Sequence, residues 1–499
     1  MDSPIISRLF RQFFTHKPCE ATRLRPLIST ARPSSSITTK RYNSSHGKRR
    51  EGDTAVESRW QQRTDLFPDN RLEEFKRYPT VTADGLKARR ERPKRVKMLM
   101  RDFIEDSLYN PNYGYFPKQA VIFSMDEPFN FQKLEDESQF YKELGRQYTA
   151  VEDKLDEKEF SETRQFWHTP TELFRPYYGE AIARYLITNY KLSFFPYHDL
   201  LIYEMGAGNG TLMLNILDYI REVDPEVYAR TKFKVIEISS SLATLQSQQL
   251  TRSTYAAGHT NKVEIINRSI FDWDMYVPSP CFFLALEVFD NFAHDALRYH
   301  PVTKEPLQCN VLIDAQGDFF EFYTHDIDPV ASRYLRVREA ACSGAYPHPL
   351  CPSKLQRVIR SLMPLEGNLT DPEYIPTRLL QFFDILKMYF PNHKLLTSDF
   401  HMLPDTIKGV NAPVVQTRYK RRTVPVRTPL VQQGYFDILF PTNFTIMEDI
   451  YRAVTGKLTR VLTHEDFLTR WAYVEDTQTR NGENPLLTWY KNASVMTTV

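Results

Sequence analysis

Residues 202–212 read IYEMGAGNGTL, and this stretch limits the possible folds more than any other in the chain. Apolar residues run into an acid, Glu204, and glycines then fall at every second position: Gly206, Gly208 and Gly210. Glycine at such spacing lets another group come close to the backbone. The flanks give the loop its context. DLLIYEMG reads as a short apolar strand, and TLMLNILDYIREV as a helix with Leu212, Ile216, Leu217 and Ile220 on its inner side. FKVIEIS is a second strand and SSLATLQSQQLTR a second helix; KVEIINRSIFDW and CFFLALEVFDN supply a third and a fourth strand. NVLIDAQGDFFEFYTH alternates around a turn like a hairpin, and KLLTSDF at 394–400 reads as a late strand. Strands alternating with helices predict an α/β fold with an open, mostly parallel sheet.

In such sheets ligands meet the backbone at the first strand–helix turn. A phosphate-binding loop needs a Lys-Ser/Thr pair after its last glycine, and none follows here. A dinucleotide fingerprint would place its last small residue at Thr211, a poor fit. The remaining pattern, acid-x-Gly-x-Gly-x-Gly, resembles the first motif of the Rossmann-like S-adenosylmethionine-dependent methyltransferases. Their cofactor has no pyrophosphate, so the glycines admit a methionine moiety and a ribose, and Glu204 is placed to meet the cationic part. Glu237 ends the second strand, where a carboxylate can accept both ribose hydroxyls; this points to a ribose more than to one cofactor. Asp272 follows the third strand and is a candidate for the adenine edge. Glu287 and Asp290, after the fourth strand, are three residues apart at the expected mouth of the cleft. Two carboxylates there can grip a planar cation bidentately. These acids double as ordinary caps or solvated residues in many folds, and His294 beside them reads more as a rim residue than as a base. The tetrapeptide [DNS]-P-P-[FYW] used on adenine and glutamine amides is absent from the chain.

Composition adds a compartment. Residues 1–50 hold eleven Lys/Arg against Asp2 and Glu20, leaving 53 basic and 60 acidic residues in the remainder, a net charge of −7. A mildly acidic body argues against a nucleic-acid binder. The first 45 residues are Arg- and Ser/Thr-rich, and IISRLFRQFF puts Ile6, Leu9, Phe10 and Phe13 on one helical face, the composition of a mitochondrial transit peptide. No apolar run reaches the length of a membrane span, so a soluble matrix protein is expected. The cysteines (19, 281, 309, 342 and 351) are odd in number, with no metal-ligand spacing, so reduced cysteines and no metal are expected. The organisation read from the chain is a transit peptide over 1–45 and a polar linker over 46–95. A helical N-terminal cap with a charged insertion follows over 96–198. The cofactor-binding core spans 199–330, and a helical substrate or partner region with late strands spans 331–499.

Several segments resemble, in order, the MidA-like family of methyltransferases, which includes a mitochondrial protein arginine methyltransferase that assists complex I assembly. MRDFIEDSLYNPNYGYF is similar to the family's opening helix and turn, and HTPTELFRPYYGEAIARYL to its TSPEIS…FGE segment. EMGAGNGTLMLNIL resembles its ELGPGRGTLM loop, VIEISSSLATLQSQQL its second strand and helix, and LALEVFDNFAHD its NEFFDALPVH element, with a fainter echo at Ser398-Asp399-Phe400. The resemblance implies a class I methyltransferase sheet with helical additions at both ends. It also implies S-adenosylmethionine at Gly206, Gly208, Gly210 and Glu237, and active-site roles for Glu287 and Asp290. The implied reaction is symmetric dimethylation of an arginine on a complex I subunit. The sequence departs from the family where Ala207-Gly208-Asn209 replaces Pro-x-Arg and RQFWHTP replaces GDFxTSP. Those departures leave a second class open, an assembly or scaffold protein that keeps the fold without catalysis; an NAD-dependent oxidoreductase is a third.

Overall fold

The structure, a computed structural model, describes residues 64–66, 71–118, 120–252, 258–300, 303–342, 346 and 369–499. The expected transit peptide, with Cys19, lies outside them, as does Cys351. The chain's main sheet has seven strands: β1 (Leu200–Met205), β2 (Thr231–Ile236), β3 (Val263–Ile266), β4 (Cys281–Leu286), β5 (His393–Phe400), β6 (Thr459–Thr463) and β7 (Ala493–Thr498). Their order across the sheet is β6-β7-β5-β4-β1-β2-β3. β1 runs parallel to β2 and β4, and β4 parallel to β5, while β7 is antiparallel to both its neighbours. From β1 the chain moves outward to β2 and β3, then returns to place β4 on the other side. The order therefore reverses between β1 and β4, and ligands of open α/β sheets bind at the carboxyl ends of the strands at this switch point.

Both faces of the sheet are covered, which is why its central strands read as continuous apolar runs. On one face Ile202, Val235, Leu284 and Leu396 pack with residues of α1 (Tyr177–Ser193) and α2 (Thr211–Val223), among them Ile182, Leu186, Leu212 and Ile216. α1 and α2 approach so closely that a Cβ on Gly179 would lie 2.5 Å from Asn215 Cβ. On the other face Tyr203, Phe283, Ala285 and Leu395 meet Phe382, Phe383 and Leu386 of the helix Thr377–Tyr389 and Met447 and Ile450 of Phe444–Thr455.

Several boundaries differ from those read in the sequence. The core does not end at 330: β5, β6 and β7 come from beyond it. The expected hairpin forms (Pro306–Ile313 with Phe319–Thr324), but in a second, six-stranded sheet, where Val96–Leu99 joins it. The segment 96–198 thus contributes strands as well as helices, including the parallel pair Ala120–Ile122 and Gln165–Trp167. The described part of the expected linker is folded too, with helices at Leu72–Arg77 and Ala83–Leu86, and Leu86 fully buried. A three-stranded sheet of Val414–Tyr419, Arg422–Val426 and Asp437–Leu439 shares its core with the six-stranded one, Val415, Val426 and Ile438 clustering with Val96, Val311 and Ile313. Cys281, Cys309 and Cys342 are free thiols.

Candidate active site

The loop between β1 and α2 turns on its glycines. Gly206, Gly208 and Gly210 have φ of 74°, 53° and 81°, the left-handed region where a side chain costs about 1–2 kcal/mol. A Cβ on Gly208 would stand 2.8 Å from Ile122 Cδ1, and one on Gly206 3.2 Å from Val288 Cγ2. The loop is fixed from outside. Asn209 Nδ2 and Thr211 Oγ1 donate to Glu172 Oε1 at 2.9 and 2.7 Å, and Glu172 sits in the helix Pro170–Leu173, capped by Thr169. Pro176 separates this helix from α1.

Two buried acids flank the loop. Glu204, at the end of β1, has one carboxylate oxygen without a partner. Burial, and then the charge of Glu237, push its pKa up to about 8. Glu237 accepts from Ser239 N at 2.9 Å and from Gln246 Nε2 at 3.0 Å. The same Gln246 nitrogen reaches Gly208 O at 2.9 Å, tying the ends of β1 and β2 together. Asp272 is not brought to this place. Its side chain is 53% exposed, 3.8 Å from Lys87 Nζ, and the wall behind β3 is made instead by Arg268, Ser269, Ile270 and Phe271.

At the end of β4 the chain makes a constrained turn. Glu287 holds φ of 52° without being glycine, and its N–H donates to Ser398 O at 2.8 Å. Such a backbone costs about 1–3 kcal/mol and persists only where the surroundings enforce it. Asp399 on β5 enforces it: Oδ2 accepts from Phe289 N at 2.8 Å and Asp290 N at 3.2 Å, and Oδ1 from Phe400 N at 2.8 Å. Asp290 is buried, with one carboxylate oxygen unpartnered. Asn291 Nδ2 donates to Asp437 Oδ1 at 3.1 Å. Desolvation, with the nearby Asp399 charge, raises Glu287 and Asp290 well above the carboxylate range, and burial brings Asp399 and Asp437 to about 7. His294 belongs to the core instead. It is buried, stacked on Phe440 at 3.8 Å, with burial pushing its pKa down to about 3, and it does not border the cavity.

Of these carboxylates Glu172, Glu204, Glu237, Glu287, Asp290 and Asp437 line one cavity of about 590 Å³, a volume suited to a drug-sized ligand, while Asp399 stands behind the wall and Asp272 away from it. Its wall also includes Gly145, Tyr148, Thr149 and Glu152, one stripe of the long helix Glu137–Lys158, and the rings of Tyr178 and Tyr490. That helix is the charged insertion. It is held to the strand Val414–Tyr419 by Arg418, which reaches Glu152 at 3.0 Å. Glu172, Asp399, Asp437 and Glu152 had no assigned site role in the sequence; only Glu172, as a first-turn acid, and Asp399, in the Ser-Asp-Phe echo, left a local trace there.

So much buried carboxylate has a cost in stability that depends on pH. Glu204, Asp399 and Asp437 have folded-state pKa values of about 8, 7 and 7, above the value of roughly 4 of an unfolded chain. The folded state therefore holds more protons than the unfolded state, and stability falls as pH rises through the folded values. Part-buried His168 and buried His294, His393 and His464, at about 4, 3, 3 and 4, act oppositely, but only below the ordinary histidine value of roughly 6.5. The ligand-free protein should therefore melt at a lower temperature at pH 8.5 than at pH 6.5, with Glu204 alone costing ~2 kcal/mol. Scanning calorimetry checks this; a constant or rising melting temperature would contradict it.

The pocket fits S-adenosylmethionine. The positive-φ glycines leave space that a Cβ would fill, Glu237 stands at the end of β2 where a ribose would lie, and Glu204 offers an unpartnered oxygen to a cation. The family described as "Putative S-adenosyl-L-methionine-dependent methyltransferase" matches residues 181–463, more than half of the chain. The chain is 25% identical over 390 residues to the "Protein arginine methyltransferase NDUFAF7 homolog, mitochondrial" of Schizosaccharomyces pombe, covering 75% of this chain and 80% of that one. It is 21% identical over 346 residues to the protein of the same name in Saccharomyces cerevisiae, covering 64% and 77%. Among solved structures, a Burkholderia thailandensis protein bound to S-adenosyl-homocysteine superposes with a TM-score of 0.51 at 13% identity, over 81% of this chain and 87% of that one, a likeness of fold. The chain belongs to the S-adenosylmethionine-dependent methyltransferases of this family, and S-adenosylmethionine is its cofactor.

Proposed function

We propose that this protein methylates a guanidinium nitrogen of an arginine in a protein substrate, within the mitochondrial matrix. The substrate is proposed to be a subunit of respiratory complex I and the product a symmetric dimethylarginine. One observation carries the acceptor: Glu287 and Asp290, from one turn, border the same cavity as the glycine loop. The names of the yeast relatives support arginine and mitochondria, and the resemblance to the MidA-like family supports complex I.

S-adenosylmethionine, when bound, supplies a methyl group activated on a sulfonium. The residues of the chain do the rest by positioning and by local charge. Gly206, Gly208 and Gly210 let the cofactor lie against the backbone, and Glu237 takes the ribose. Burial and the Asp399 charge favour the neutral forms of Glu287 and Asp290; an entering guanidinium favours their ionised forms and is held by them in one plane. As a guanidinium nitrogen becomes methylated it must lose a proton, and the Glu287 carboxylate is placed to receive it. Tyr178 and Tyr490, beside Glu287, exclude water from that face.

The test is Gly208→Val. Its branched side chain enters a left-handed backbone position already facing Ile122. Calorimetry should show S-adenosylmethionine affinity falling at least ~100-fold, and methylarginine should disappear from one or a few mitochondrial proteins of cells carrying the variant. If the binding is lost and no methylarginine changes, the arginine acceptor is wrong.

A further inference from the structure

Glu172 belongs to neither acid pair described above. It is 2% exposed, borders the cavity, and is held by its own N–H to Thr169 Oγ1 at 3.3 Å. Its Oε1 takes two donors, Asn209 Nδ2 and Thr211 Oγ1, at the far end of the glycine loop. Its Oε2 has no hydrogen-bond partner and no contact with solvent. A buried carboxylate oxygen in that condition is costly unless something meets it, and a native protein that keeps one commonly uses it.

The loop's contacts say which part of a ligand lies there. Gln246 links Glu237 to Gly208 O, so a ribose held by Glu237 would lie on the β2 side of the loop. Asn209 and Thr211 lead away from that side, to Glu172. With Oε1 engaged twice, Glu172 has a single oxygen to offer. A forked guanidinium calls for two, whereas a compact ammonium is satisfied by one charge-assisted bond.

We propose that Glu172 Oε2 accepts the primary ammonium at the amino-acid end of S-adenosylmethionine, making Glu172 a cofactor-specificity residue. It separates the whole cofactor from 5′-methylthioadenosine, which shares the nucleoside and the sulfur but lacks the amino acid. The inference rests on the cofactor and not on arginine as the acceptor, so it is tested without any methyl acceptor.

Titration calorimetry on the full chain compares S-adenosylhomocysteine with 5′-methylthioadenosine. Glu172→Gln keeps an oxygen for Asn209 and Thr211 but removes the charge. It should weaken S-adenosylhomocysteine roughly tenfold to a hundredfold and leave 5′-methylthioadenosine within about twofold. Equal losses for both ligands would mean that Glu172 only organises the loop, and no loss for either would mean that it touches no ligand; both results overturn the proposal. Should Glu172→Gln not fold, Glu172→Asp, which keeps the charge but withdraws it, is expected to show the same selective loss. In the unaltered protein, desamino-S-adenosylhomocysteine should bind at least ~10-fold more weakly than S-adenosylhomocysteine; equal affinities would overturn the proposal independently of any variant. An unaltered protein that binds none of these ligands would instead contradict the cofactor itself.

Discussion

Glu287→Gln should reduce methyl transfer by roughly three orders of magnitude while leaving S-adenosylhomocysteine affinity within about twofold. The expectation follows from where Glu287 sits. Its backbone is held in the left-handed region, so its side chain is presented into the cavity from the mouth of β4. Glutamine keeps the size and the backbone but can neither pair with a guanidinium nor take its proton. The cofactor acids, Glu204 and Glu237, lie on β1 and at the end of β2, and neither bonds to the 287–291 turn. Rate and cofactor binding should therefore separate. Asp290→Asn should fall in the same direction, and the double variant should lose less than the product of the two, because the carboxylates act on one cation. Single-turnover transfer to a peptide acceptor, alongside calorimetry, measures both quantities. A matching drop in cofactor affinity would assign Glu287 to the cofactor instead.

The parts of this site that were legible in the sequence are those whose signal is local. An apolar strand, an acid, three alternate glycines and a periodic helix are contiguous, and they form β1, the loop and α2 as expected. Glu237 and Glu287 each end a recognisable strand, so strand periodicity alone placed them at the cleft. What stayed hidden depends on distant pairing. Asp399 meets Phe289 across 110 residues, Asn291 meets Asp437 across 146, and Arg418 meets Glu152 across 266. The helix Glu137–Lys158 looks like a solvated insertion because most of it is charged. Only the long-range partners reveal that Tyr148 and Glu152 face a cavity. β7 was invisible for a related reason: an antiparallel strand that enters a parallel sheet from the last residues carries no marker of the sheet it joins. His294 shows the reverse error, a residue close in sequence to the site that tertiary stacking on Phe440 draws into the core.

Asp399 is the strongest test of how far such distant contacts govern the chemistry. Its carboxylate accepts the N–H groups of Phe289, Asp290 and Phe400, and Asp399→Ala would leave these buried donors without it. At about 1–3 kcal/mol for each of the three orphaned groups, the protein should lose ~3–9 kcal/mol of stability. The turn would also lose what holds Glu287 in its left-handed conformation, so methyl transfer should fall at least ~100-fold. A structural lesion alone would predict little more than that, and Asp399→Asn separates structure from charge. The amide keeps one acceptor and the shape, so the turn should largely survive. The negative charge that helps raise both Glu287 and Asp290 is gone, however. Their folded-state pKa values should drop, and the rising limb of the pH–rate profile should move to lower pH, with the cofactor affinity unchanged. A profile that stays in place while the rate falls would reduce Asp399 to a scaffold for the turn. A profile that moves down would mean that a residue on β5 sets the pH at which the acceptor carboxylates become ready to bind a cation.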